Sequence, residues 1–409
     1  MTLGPGGGPH PPEPSPKTAA RRVCVVGPGT RFLSGITYYT FGLIGALAHE
    51  QRVSAILFRR LLPARLYPGR ARVGADLSEL KLPSEVAFAD GIDWYWGTGL
   101  GKVVRLMRRE RPEVVVLQWW TGAVLHTYLL LAVMAHAMGA SVVVEFHEAL
   151  DTGEERLGWV RHYVGNLAPV LFWLTSRFVV HTEHDRRLVV ERYRLDARRT
   201  VLIPHAAYDH HKVVPVPSED GRCRLLYFGV VRPFKGVDDL IAAFDILTAT
   251  GNQGFRLTIV GETWENWNVP EKMIAASPAR DQIRRLDRYV TDAEAGAAFA
   301  AADVVVLPYR RCSSSGPLHI AMAMGLPVVT TAVGGLPETT AAYSGAVIAE
   351  PAAPESLARA ILAASELRGQ RFSGAPSWAD TAAAYGVLID HLTARKGPAV
   401  RKRAGASSR

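Results

Sequence analysis

Arg232 and Lys235 stand in a glycine-bounded turn, within the run YFGVVRPFKGVDDLIAAF from Tyr227 to Phe244. Two cations at the entry of a helix are suited to bind an anion. The helix adds unpaired backbone N–H groups and the positive end of its dipole, so a phosphate there meets three kinds of favourable charge. Farther on, Cys312-Ser313-Ser314-Ser315-Gly316-Pro317 feeds a second helix, Leu318 to Met324, and offers small hydroxyl residues and a glycine. Such a turn bonds a ligand through side chain and backbone together. Two anion-ready turns in one half of the chain imply a diphosphate ligand, with Gly229, Arg232, Lys235, Ser314, Ser315 and Gly316 as its contacts.

Other residues admit two readings. His147 and Glu148, at the end of VVVEFHE, suit proton transfer or a structural pair closing a strand. Trp119 and Trp120 follow Gln118 at a strand's end, where aromatic faces either pack or receive a sugar ring. Gly27, Gly29 and Gly35 invite a dinucleotide-binding reading, but Phe32 stands where the third glycine belongs and no acid follows at the ribose distance. His205, His210 and His211 fall in an inferred hinge without a helical i, i+4 pair, so no metal is assigned. His181, Glu183, His184 and Asp185, in HTEHDRR, read as a strand end and a helix cap.

The elements that must position these residues alternate. Arg22 to Gly27, Val53 to Phe58, Val114 to Leu117, Ser141 to Phe146, Phe178 to His181 and Val201 to Ile203 read as strands separated by helical stretches. The alternation predicts a parallel, doubly wound sheet. After a polar break from His205 to Glu219 the logic restarts with Leu225 to Phe228, a helix Asp238 to Thr248, and strands Arg256 to Val260, Val304 to Leu307 and Val328 to Thr330. The chain therefore divides into a disordered leader (1–20), a Rossmann-like acceptor-side domain (21–208), a linker (209–219), a second Rossmann-like domain (220–377), a cross-over helix (378–395) and a basic tail (396–409). A cleft between the two domains is the expected binding site.

Composition agrees with a folded two-domain protein: 409 residues exceed the size of a single core, and 48% are hydrophobic. The excess of 47 Lys and Arg over 38 Asp and Glu, a formal charge of +9, favours anionic partners. No basic helix with interleaved aromatics appears, so nucleic acid is not expected as a partner. Cys24, Cys223 and Cys312 lack the spacing of a zinc or disulfide framework and fit a reducing cytosol. The Gly/Pro-rich start lacks the apolar core of a signal peptide, and Trp119 to Ala140 reads as a buried helix rather than a membrane span.

FGVVRPFKGVDDLIAAF, Val290-Thr291-Asp292 ahead of AAFAAADVVVLPY, and AMAMGLPVVTTAVGGLPE ending at Glu338 resemble the group 1 retaining glycosyltransferases, glycosyltransferase family 4. The resemblance covers roughly Arg22 to Leu392 and implies a GT-B fold. It implies transfer of a sugar from a nucleoside-diphosphate sugar to an acceptor hydroxyl with retention, in glycan or glycolipid synthesis. That sugar nucleotide is a co-substrate; neither a cofactor nor a metal is implied. By the same resemblance Arg232 and Lys235 bind the diphosphate, Ser314 to Gly316 lie beside the donor sugar and phosphates, and His147 lies close to the reacting sugar. Glu338 ends the donor-side motif, and the turn at Gly35 and Thr37 admits the acceptor; Trp119 and Trp120, from their place at a strand's end rather than from the resemblance, are its further expected contacts. The chain departs from the family at one pair. Two glutamates separated by seven residues are usual around the second turn, and here Cys312 and Ile320 occupy those places. Ribose and sugar recognition must then come from other groups.

Two further readings remain open at this level: a catalytically silent nucleotide- or glycan-binding partner of a glycosylation assembly, and a sugar-nucleotide epimerase. A glycan or lipid-linked acceptor, and peripheral contact with an anionic membrane through Arg59 to Arg72 and Leu167 to Phe178, complete the expected partners of a cytoplasmic protein.

Overall fold

The computed structural model describes residues 20–30, 35–60, 80–93, 95–97, 99–148, 158–209, 214–249 and 254–394. The leader through residue 19, Phe32, His210, His211, most of the Arg59 to Arg72 cluster and the tail from residue 396 lie outside them.

The first sheet has seven parallel strands, β1 (Arg22–Pro28), β2 (Arg52–Arg60), β3 (Ala87–Asp93), β4 (Val114–Trp119), β5 (Ser141–Phe146), β6 (Arg177–Val180) and β7 (Thr200–Leu202), in the order β3-β2-β1-β4-β5-β6-β7. Strands β1, β4 and β5 are almost wholly buried, as a sheet covered on both faces requires. Helices α1 (Gly35–Ala48), α2 (Gly99–Glu110), α3 (Leu125–Ala137), α4 (Gly158–Leu174) and α5 (Glu183–Tyr193) connect them. The second sheet, β8 (Cys223–Phe228), β9 (Phe255–Val260), β10 (Ile283–Leu286), β11 (Val304–Leu307), β12 (Val328–Thr331) and β13 (Ala346–Ala349), runs β10-β9-β8-β11-β12-β13. Its helices are α6 (Val237–Ala249), α7 (Val269–Ala276), α8 (Asp292–Ala300), α9 (Gly316–Ala323), α10 (Leu336–Thr340) and α11 (Pro354–Ser365). Two such parallel-sheet domains facing each other make the GT-B fold.

The last helix, α12 (Trp378–Ala394), returns to the first domain. The Trp378 ring fills the space that a side chain at Gly42 of α1 would need, and it lies 5.3 Å from the Tyr39 ring. Thr381 donates to the Pro204 carbonyl at 3.0 Å, and Tyr385 is fully buried. Among the described residues no helix is long and apolar enough to cross a membrane. Phe172 of α4 is buried, whereas Trp173 is 77% exposed.

Three strands escaped the sequence reading: β3, β10 and β13. All three are sheet edges. Edge strands bury one side at most and tolerate the Asp, Gly and Arg of AFADGID and IRRL, which blur the apolar signal. Helix α5 begins at Glu183, inside the stretch read as a helix cap, because Thr182 caps it by accepting the Asp185 N–H. Helix α9 likewise starts at Gly316, with Ser315 as its cap.

Candidate functional site

The basic turn is held by its glycines. Gly236 has φ +65° and touches the Pro308 carbonyl, and Gly261, φ +146°, lies against the Gly229 carbonyl; a Cβ at either position would collide with backbone. Asp238 and Asp239 open α6, but both are occupied: Arg310 bonds Asp239 at 2.7 and 2.8 Å and Asp238 at 2.8 Å. The acids at this helix entry therefore leave the neighbouring cations to other partners.

Lys235 is one such cation. Its Nζ lies 3.8 Å from the centre of the Tyr309 ring, and among the described residues it makes no ion pair. Burial opposes its charge, yet Tyr309, Cys312 and Glu148 outweigh it and hold the ammonium above its ordinary pKa. Arg232 is placed differently. It pairs with Glu265 and packs against Phe234, 4.8 Å from the ring centre, and Trp264, 5.5 Å away. Arg311, 5.0 Å from the Phe234 ring, adds a third cation that sequence reasoning missed, although it directly precedes the second turn.

Tyr309 joins the two turns. Its hydroxyl lies 3.1 Å from Ser315 Oγ, which also accepts the Leu318 N–H at the start of α9. Burial pushes the Cys312 thiol up to about 11, so it stays protonated and donates to the Ser314 carbonyl at 3.0 Å. A neutral thiol thus occupies the place where the resemblance expects a carboxylate.

The first domain closes over this region. The α-carbons of Gly35, at the start of α1, and Gly316, at the start of α9, are in near contact, and Tyr208 donates to the Gly35 carbonyl at 2.7 Å. Thr37, the other residue assigned to this turn, is fully buried. Tyr38 bonds Asp292 across the domain boundary. Next to that bond, Phe228, Val230, Val260, Val290 and Ile320 wall a small pocket, open in part to solvent. Ile320 contributes apolar surface there, and Glu262 and Asp292 supply the carboxylates of the lining.

Several expected site residues lie elsewhere. Trp119, 1% exposed, is packed among Tyr128, Phe146, Phe172 and Tyr193, so its ring offers no face to a sugar; Trp120 is also buried. Of the two readings for Trp119, packing and sugar stacking, the structure shows packing, because the strand's last side chain points into the helical layer. Glu338 is engaged across the domain boundary. Its carboxylate accepts the Glu183 and His184 N–H groups at 2.6 and 3.0 Å, capping α5 of the first domain, and Arg187 lies 3.7 Å away. It does not join the two turns.

His147 is buried, with its Nε2 toward Glu145 at 3.5 Å. Glu148, the next residue, is the one whose charge is felt at Lys235 and Cys312. Around His147, Glu145 accepts the Tyr39 hydroxyl at 2.7 Å and Gln118 Nε2 at 3.2 Å. Burial disfavours the Glu145 carboxylate, but His147, His181 and the Tyr39 hydroxyl more than offset it and hold its pKa down at about 2. His205 stacks on His319 of α9, 4.0 Å between ring centres, and burial keeps both neutral.

Residues 222–366 match the family model for glycosyl transferases group 1. The match covers the domain that holds both turns. A D-inositol 3-phosphate glycosyltransferase of Geodermatophilus obscurus is 29% identical over 256 residues, 57% of this chain and 55% of that protein. A GDP-mannose:glycolipid 4-beta-D-mannosyltransferase of Xanthomonas campestris pv. campestris is 33% identical over 109 residues, 26% of this chain and 29% of that protein. The chain thus matches about half the length, or less, of these relatives. Among solved structures, sucrose-phosphate synthase from Thermosynechococcus elongatus superposes with a TM-score of 0.63 at 17% identity, covering 92% of this chain and all of that one. That similarity agrees with the GT-B architecture.

Proposed function

We propose that this protein is a glycosyltransferase that moves a sugar from a nucleoside-diphosphate sugar to an acceptor hydroxyl, with retention at the anomeric carbon. One observation carries the reading: Tyr309 ties Lys235 and Ser315 into a single site, so a cation and a helix N-terminus meet where a diphosphate would lie. The nucleoside enters the apolar pocket beside Ile320, where Glu262 and Asp292 replace the missing family glutamate as partners for ribose hydroxyls. Lys235, Arg232 and Arg311 stabilise charge building on the leaving diphosphate. The bond from the anomeric carbon to the phosphate oxygen breaks as the bond to the acceptor oxygen forms on the same face. The acceptor's proton passes to the departing phosphate oxygen, so no protein nucleophile is required. The closed seam at Gly35 and Gly316 excludes water and limits donor hydrolysis.

A glycan or lipid-linked acceptor on the first-domain side fits the names of the relatives, and exposed Trp173 provides an apolar contact for a membrane surface. A calorimetric screen against UDP, GDP, ADP and their sugar conjugates tests the donor site, and one nucleotide is expected to bind selectively. A silent binding partner is the second reading, favoured by the absence of carboxylates at Cys312 and Ile320. Slow hydrolysis of the bound sugar nucleotide supports the enzyme; tight binding with no turnover under any acceptor supports the partner.

A further inference from the structure

Among the described residues that line the pocket beside Ile320, Tyr38 alone comes from the first domain. It reaches the pocket from the first turn of α1, whose first residue, Gly35, meets Gly316 across the cleft. Its hydroxyl donates to an oxygen of Asp292, the first residue of α8. Tyr39, the next residue, donates instead to Glu145 inside the first domain. Successive residues of a helix point about 100° apart, so the two tyrosines serve different domains.

The setting of the Tyr38–Asp292 bond differs from that of an ordinary clasp between domains. Tyr208, which bonds Gly35 nearby, is buried; Tyr38 is half-buried and stands on the wall of a pocket open in part to solvent. Most of that wall is apolar, and its other charged side chains are engaged by neighbours. Glu262 accepts the Trp264 indole N–H at 3.0 Å, and Arg288 donates to Glu294 at 3.1 Å. Apolar walls with a few convergent polar groups are the usual form of a small-molecule site, and here the convergent pair is assembled from two domains.

The chemistry of the pair selects its ligand. A carboxylate offers about four lone-pair positions, and a phenol oxygen still accepts after donating its own proton. Two acceptors side by side suit two O–H donors on adjacent carbons, which is the hydroxyl edge of a ribose. With the pocket taken as the nucleoside site of the proposed donor, we propose that Tyr38 is a specificity-determining residue contributed by the first domain: its phenol oxygen and the Asp292 carboxylate each accept one ribose hydroxyl. The nucleoside is then gripped by both domains at once. Ribose recognition favours the closed form in which Gly35 meets Gly316, because only that form brings Tyr38 to Asp292.

The test titrates the full chain with UDP, GDP and ADP by calorimetry, then compares the nucleotide that binds with its 2′-deoxy and 3′-deoxy forms. Loss of one hydroxyl should weaken binding to the wild type roughly fivefold, for the neutral phenol partner, and loss of the other about tenfold or more, for the carboxylate. In Tyr38→Phe, checked for fold by circular dichroism, one penalty should fall to within about twofold while the other persists. Asp292→Asn, which keeps the size of the side chain and removes its charge, should shrink the other. A residue that merely holds the domains together would lower affinity for all three forms alike and leave both penalties at their wild-type values. Penalties unchanged in Tyr38→Phe, or a wild type that binds all three forms equally, would overturn the proposal and leave the donor site standing. Binding of none of the three nucleotides would overturn both.

Discussion

Replacing Lys235 by alanine separates a phosphate-binding cation from an ordinary surface charge. The Lys235 ammonium rests on Tyr309 at 3.8 Å and makes no ion pair among the described residues, although the charge of Glu148 is felt there, so a diphosphate would be its first direct anionic contact. A charge-assisted hydrogen bond is worth about 1.5–3 kcal/mol, so Lys235→Ala should weaken nucleoside diphosphate binding roughly 10- to 150-fold. Arg232→Ala should cost less, although the sequence ranks the two alike. Arg232 already pairs with Glu265, so binding phosphate exchanges one anion for another rather than satisfying a bare charge. Isothermal calorimetry at low and high salt reads both effects, with circular dichroism as the check on folding. Lys235→Ala removes one cation near phosphate, so its affinity should also depend less steeply on salt than that of the wild type. Affinity within twofold of wild type, with an unchanged salt slope, would refute the phosphate assignment.

Glu265→Gln should tighten diphosphate binding several-fold at low salt by releasing Arg232, and calorimetry on this variant checks it. Glu338→Ala removes two hydrogen bonds from the α5 N-terminus across the domain boundary, at a cost of about 1–2 kcal/mol; the radius of gyration of the nucleotide-free protein should rise, and scattering identical to wild type would argue against a clasp. Asp185 provides a pH test. Burial pushes its carboxyl up to about 6 against the opposing Thr182 hydrogen bond, so its contribution favours the fold below pH ~4 and is lost as pH rises through about 6. Asp185→Asn should therefore stabilise the protein at pH 7 by up to about 3 kcal/mol and have little effect at pH 4, as thermal unfolding at the two pH values will show.

By itself the sequence determined the alternation of strand and helix, the two sheets and the identity of the basic turn. These are local properties: apolar runs such as VVVL, a glycine that must turn and cations that flank it act within a few residues of one another. The edge strands β3, β10 and β13 were not legible, because a strand covered on one side carries a mixed pattern that only its sheet resolves. The tertiary structure alone decided which groups meet. Glu338 looks like a donor contact in a motif and becomes a cap for a helix 155 residues away; Trp119, which the sequence allows as packing or as a sugar platform, fills a core. Tyr309 links the two turns, and Glu145, His147 and His181 gather from adjoining strand ends. Such contacts depend on sheet order and domain closure, which sum many weak packing terms over the whole chain, and no short segment contains that sum.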